Sequence, residues 1–207
     1  MITKKDALLI IKKISDLGLE VGSSGNVSFR AGPDLIYITP TKVAHADVTK
    51  KNLSVVQLST GKLIRGNKPS SDLSFHREIY SNRSDVHCIV HSHSHFATLC
   101  AILELSIPVL STLHADYFKD SIPCLPFLNH RERNVGIQVL EKGVDTALLA
   151  RHGSLLLIKN YREAPHRLEA LEEVARLFYD ALLVSDQKRQ LPNEISEDDR
   201  CVIHKHF

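Results

Sequence analysis

The sequence predicts an α/β domain built around a mainly antiparallel sheet. Helical and strand-like segments are intermixed without the regular strand–helix–strand rhythm of a parallel fold. Three short β-branched or alternating runs follow one another through turn residues, the pattern of a meander. No repeat, low-complexity tract or Pro/Gly/Ser-rich linker divides the chain, so residues 1–207 are expected to form one domain.

The elements follow from local pattern. Thr3 and Asp6 have the spacing of a capping box, and Ala7, Ile10, Ile11, Ile14 and Leu17 recur at helical spacing until Gly18. The first element is therefore an amphipathic helix. The runs NVSFR, LIYITP and LSVVQL, separated by AGPD and STGK, read as the meander. SSDLSFHREIYSNR opens with serine caps and places Leu73, His76 and Tyr80 on one helical face. HCIVHSH reads as a strand, FATLCAILEL as a helix, and ALLARHGSLLLI as two buried strands joined at His152 and Gly153. A last helix is expected from Asn160 as its cap, with Leu168, Leu171, Ala175, Phe178 and Leu182 in one stripe and a possible bend at Pro165.

Composition excludes several function classes. Hydrophobic residues make up 43% of the chain and charged residues 24%, as in globular proteins. The 26 basic and 24 acidic side chains are interleaved along the chain, whereas a nucleic-acid binder would gather its basic residues. No stretch approaches the ~18 apolar residues of a membrane span, and the N-terminus lacks a signal-peptide pattern. Cys88, Cys100, Cys124 and Cys201 form no CxxC pair, which suits free thiols in a reducing compartment. A cytoplasmic protein is expected.

Chemistry concentrates in HSHSH at 91–95. Side chains at i and i+2 of a strand share a face, so His91 and His93 can present two imidazoles to one ion. They sit at the polar end of the apolar run CIV, where a buried imidazole needs a partner. His95 has the same phase but falls where the strand is expected to end. The HxHxDH pattern of β-lactamase-type metallohydrolases fails, because Phe96 follows the third histidine. Barrel amidohydrolases also begin with a histidine pair, but their barrel needs about 250 residues. A second cluster, KPSSD at 68–72, leads into a helix, where hydroxyls and backbone N–H groups suit either a cap or an anion such as phosphate. SSGN at 23–26 and TPTK at 39–42 are hydroxyl-rich loops of the same kind.

Together these segments resemble the class II aldolase/adducin family, which includes fuculose-phosphate aldolase, ribulose-5-phosphate 4-epimerase and methylthioribulose-phosphate dehydratase. GSSGNVS at 22–28, ITPT at 38–41, KPSSD at 68–72, VHSHS at 90–94 and RHG at 151–153 occur in family order. The resemblance implies a sheet covered by helices on both faces, with His91, His93 and His152 ligating a divalent metal and Asp72 as acidic fourth ligand and catalytic base. Zn²⁺ suits such a set best, and Mn²⁺ or Co²⁺ could occupy it. Gly25, Asn26, Thr41, Lys42, Ser70 and Ser71 would bind a substrate phosphate. Lys42 stands where the family usually has glycine, so it either adds a positive charge there or distorts the turn.

The implied reaction is retro-aldol cleavage of a small phosphorylated ketose through a metal-bound enediolate, a lyase activity. A 4-epimerase would use the same chemistry and then rejoin the fragments. LHADYFKDSIPC at 113–124 is similar to an epimerase string and would make Asp116 a catalytic acid/base. Against this, the epimerases carry a C-terminal tail tyrosine, and this chain has none after Tyr179, although His206 could match a histidine of that tail. A non-catalytic, adducin-like interaction domain is the remaining alternative, marked in principle by loss of the metal histidines, all of which are present. The family further implies a homotetramer with its site between subunits.

Overall fold

The computed structural model describes residues 2–128, 135–188 and 193–205. His206 therefore lies outside the described residues. The first helix, α1 (Lys4–Asp16), is closed by the expected capping box, with the Thr3 side chain accepting from the Asp6 N–H and the Asp6 carboxylate accepting in return. Its buried stripe is Ala7, Ile10, Ile11 and Ile14.

The meander forms as expected. β1 (Asn26–Gly32), β2 (Leu35–Ile38) and β3 (Ser54–Gln57) are antiparallel neighbours, and β4 (Leu63–Arg65), not anticipated, extends them to the sheet edge. Exposed along its length, β4 has none of the periodic burial that betrays a strand. Helix α2 (Leu73–Asn82) follows, then β5 (Cys88–Ser92), α3 (His95–Ile102) and α4 (Thr112–Phe118). The remaining elements are β6 (Cys124–Leu125), α5 (Val135–Lys142), β7 (Thr146–Leu149), β8 (Gly153–Ile158), α6 (Ala164–Lys188) and α7 (Glu197–Lys205). Asn160 caps a short 3₁₀ turn, Tyr161–Glu163, that leads into α6. Pro165 thus falls in the first helical turn, where its missing N–H has no intrahelical partner to lose, and no bend is needed to accommodate it.

The eight strands run in the order β4-β3-β2-β1-β5-β8-β7-β6, and every pairing is antiparallel except β6 with β7. Helices cover both faces. Alternation along β5 shows the division: Cys88 and Val90 join the core formed with α1, α3 and α6, whereas Ile89 joins the core formed with α2 and α5. His91 has the parity of Ile89 and so faces α2, the helix that begins at Asp72. No helix among the described residues is long and apolar enough to cross a membrane.

Candidate metal and sugar-phosphate site

Two strand ends and one turn bring the three predicted histidines together. β5 pairs with β8 from Cys88↔Ile158 to Ser92↔Ser154, which sets the turn before β8, and His152 within it, beside His91. One ligand atom from each of His91, His93 and His152 lies within 4.8 Å of the others. The Nε2 atoms of His91 and His93 are 3.0 Å apart. Zn–N bonds of about 2.0–2.1 Å in a tetrahedron would separate two nitrogens by roughly 3.3 Å, so the His91–His93 pair is near the spacing that one ion requires. β5 ends at Ser92, so His93 lies just beyond the ladder that was expected to carry it. His95 opens α3 and is exposed.

The protonation pattern also suits a ligand. His91 is buried, and its Nδ1 donates to the Ser154 carbonyl at 2.9 Å. That bond fixes the tautomer and leaves the Nε2 lone pair turned to the group. Burial, reinforced by His152 and His93, lowers the His91 pKa to about 3, so the ring is the neutral form that a metal requires. Burial also lowers His93, with Asp72 opposing.

Asp72 occupies the N-cap position of α2 but makes no side-chain capping bond. Its carboxylate instead accepts from Asn26 Nδ2 at 2.7 Å. An aspartate at this position ordinarily caps the helix, worth about 1 kcal/mol, and here that bond is replaced by the one from Asn26. The mutually close ligand group comprises the three histidines, and Asp72 stands beside it, held by Asn26.

The loops expected to hold phosphate converge through their backbones. The Thr39 hydroxyl accepts from the Val27 N–H at 3.1 Å, the Ser70 N–H donates to the Thr39 carbonyl at 3.1 Å, and the Thr41 N–H donates to the Lys68 carbonyl at 3.0 Å. Gly25 and Asn26 open β1 beside His91, the residue with which Asn26 is paired. Gly25 has φ +69°, and a Cβ there would stand 2.7 Å from the His91 carbonyl oxygen, so only glycine fits. Thr41 and Ser70 are half-buried, while Lys42 and Ser71 are exposed. Lys42 adopts φ 60°, the left-handed conformation that glycine takes most easily, so here the lysine bears backbone strain at the usual glycine position.

Asp116 is not part of the histidine group. It lies on α4, which packs on α6 and α7, and its backbone carbonyl accepts from His204 Nδ1 at 2.8 Å. Its Oδ1 is buried without a partner among the described residues.

Two features of the site escaped sequence reasoning. Behind Asp72, the Ser28 hydroxyl bridges His76 Nδ1 at 2.6 Å and the Tyr80 hydroxyl at 3.0 Å, both from α2. Burial lowers the His76 pKa to about 3, so the ring is neutral. The helical stripe had shown His76 and Tyr80 facing inward but not what they meet. The other feature is Glu20, whose largely buried carboxylate faces His93; burial raises its pKa. Its neighbours in sequence give no sign of this.

The family pattern described as the class II aldolase and adducin N-terminal domain matches residues 6–179. The chain belongs to the class II aldolase and adducin family. Among relatives of this class II aldolase family member, the L-fuculose phosphate aldolase of Methanococcus maripaludis is 35% identical over 170 residues, covering 82% of this chain and 92% of that one. The L-fuculose phosphate aldolase of Escherichia coli K12 is 31% identical over 184 residues, covering 88% and 85%. Among solved structures, an L-fuculose 1-phosphate aldolase superposes with a TM-score of 0.85 at 21% identity over 100% of this chain and 98% of that one. YgbL from Klebsiella pneumoniae gives 0.81 at 26%, covering 96% of each chain. These likenesses support an enzyme of the aldolase type with the fold described above.

Proposed function

We propose that this protein is a divalent-metal-dependent sugar-phosphate aldolase that cleaves a small phosphorylated ketose in the cytoplasm. The observation that carries the reading is the convergence of three imidazoles beside a carboxylate that makes no helix-capping bond. His91, His93 and His152 would hold the ion, with Zn²⁺ favoured by three nitrogen ligands and Mn²⁺ or Co²⁺ compatible. When bound, the ion supplies Lewis-acid stabilisation of the negative charge that C–C cleavage leaves on the ketose oxygens.

The chain's own residues do the rest. Gly25, Asn26, Thr41, Lys42, Ser70 and Ser71 anchor the phosphate, fixing the scissile bond relative to the histidines. Asp72, oriented by Asn26, would take the hydroxyl proton as the bond breaks, and the family resemblance makes it the acidic residue that would complete the ligand set. Asp116 exchanges protons with the aldehyde fragment. The family resemblance implies a homotetramer with the site between subunits, in which Asp116 on α4 would be supplied by a second copy of the chain. A monomer in sedimentation at micromolar concentration would count against that arrangement.

A ribulose-5-phosphate 4-epimerase is the second reading, favoured by aspartate at 72 and by the unpartnered Asp116 carboxylate oxygen. Fuculose 1-phosphate and ribulose 5-phosphate, each incubated with the metal-loaded protein and followed by NMR, separate the two. Triose phosphate plus an aldehyde supports the lyase, and xylulose 5-phosphate supports the epimerase. Turnover of neither, in protein that binds stoichiometric metal, refutes both substrate assignments. Protein that takes up no metal, with activity unaffected by His91→Ala, refutes the metal reading itself.

A further inference from the structure

His93 lies past the last ladder residue of β5, so no strand pairing holds it, yet its ring must meet His91 to within a few tenths of an ångström for one ion to bridge them. Something else must fix the turn from 92 to 95. The Ser92 hydroxyl accepts from the Ser94 N–H at 3.0 Å and donates to the Glu20 carboxylate. Glu20 Oε2 also accepts from the His93 N–H and from the Ser24 hydroxyl, each at 3.5 Å. A Cβ on Gly25 would stand only 2.6 Å from this oxygen, so the carboxylate is seated between the Gly25 backbone and the His93 turn. On the far side of the turn, Ser94 provides no side-chain cap for α3, and Glu172 of α6 takes that place by accepting from the Phe96 and Ala97 N–H groups at 2.8 and 3.1 Å. The turn that carries His93 is thus clamped by two carboxylates from separate elements.

Resting on the metal reading above, we infer that Glu20 is a positioning residue for His93, joining the metal-bearing turn to the Gly25–Asn26 loop expected to hold phosphate. Glu20 belongs to neither motif and is not among the ligand atoms of the histidine group. Its carboxylate is poorly solvated, and Oε1 is buried with no partner among the described residues, a cost that capping a surface loop would not require. What the carboxylate achieves is geometric: the His93 N–H and the Ser92 hydroxyl are both directed at one carboxylate.

The test compares the parent, Glu20→Gln and Glu20→Ala in the full chain, by Zn²⁺ affinity in competition with a chromophoric chelator and by the visible spectrum of the Co²⁺ form. Removing a group that orients a metal ligand weakens affinity about 10–100-fold, which is the expected loss for Glu20→Ala, together with displaced Co²⁺ bands. Glu20→Gln keeps one carbonyl acceptor and is expected to fall between Glu20→Ala and the parent. Unchanged affinity and spectrum in either cooperatively melting variant overturn the inference; should Glu20→Ala fail to fold, Glu20→Gln decides alone. A parent protein that binds neither Zn²⁺ nor Co²⁺ overturns the metal reading and this inference together. A parent that binds metal while the variants are unaffected overturns only the role of Glu20.

Discussion

Gly153→Ala should damage the candidate metal site from the strand side. A Cβ on Gly153 would lie 2.4 Å from the Ser92 carbonyl oxygen and 3.6 Å from His91 Cε1. Ordinary contact begins near 3.4 Å, so β8 must retreat from β5 by about 1 Å (3.4 − 2.4) at that point. The adjacent bond from His91 Nδ1 to the Ser154 carbonyl, 2.9 Å long, would stretch to about 3.9 Å, beyond hydrogen-bonding range. Overpacking costs about 1–3 kcal/mol and a lost buried hydrogen bond about 1 kcal/mol, so roughly 2–4 kcal/mol of stability should go. The neighbouring His152 moves with the strand, and Zn²⁺ affinity should fall at least about tenfold. Urea unfolding of chelator-treated protein measures the first effect, and chelator competition the second. Gly143→Ala is the control: φ is +69° and nothing lies within 4 Å of a Cβ there, so only about 1 kcal/mol of backbone strain is expected, with metal affinity unchanged. A Gly153→Ala protein matching its parent in both assays would refute the claim that this close approach holds the histidines in register.

Asp72→Asn is expected to lower turnover about 10²–10⁴-fold while the three histidines retain stoichiometric metal, checked by initial rates alongside elemental analysis. His152→Ala, by contrast, should abolish tight metal uptake. Ser28→Ala leaves the His76 and Tyr80 polar atoms without their shared hydroxyl, and should cost about 2–4 kcal/mol in chemical denaturation. His45 governs an acid-side effect: burial lowers its pKa from 6.5 to about 4, and neither ring nitrogen has a partner among the described residues. The unfolded chain binds this proton first, so the stability associated with His45 is intact above pH 6.5. It declines by about 1.4 kcal/mol per pH unit between 6.5 and 4, about 3 kcal/mol in all. His45→Leu should remove that share of the decline in apoprotein, and an unchanged slope would show that His45 is not held neutral in the fold.

Features that depend on short-range pattern can be read from the residues alone. The capping box at Thr3 and Asp6, the meander from β1 to β3, the apolar β5 and the stripe of α6 were all legible because helix and strand impose fixed periods on nearby residues. His91 was legible for the same reason, His93 falls one residue past the strand expected to carry it, and Asp72 and His152 entered through the order of the family's motifs. Elements without a strong period were not legible: β4 is wholly exposed, β6 has two residues, and α4 has seven, preceded by Ser111, whose hydroxyl caps the helix by accepting from the His114 N–H.

How those motifs relate in space follows from pairing between distant segments. His152 meets His91 because β8 pairs with β5 in one register, a contact between residues 61 positions apart (152 − 91) that no local period encodes. Capping rules placed Asp72 at a helix start, but the fold turned its carboxylate to Asn26. Glu20 was invisible because its largely buried carboxylate meets a backbone N–H just past the end of a distant strand. Local pattern specifies which face a side chain occupies. Pairing between distant segments specifies what that face meets, and the site's chemistry depends on both.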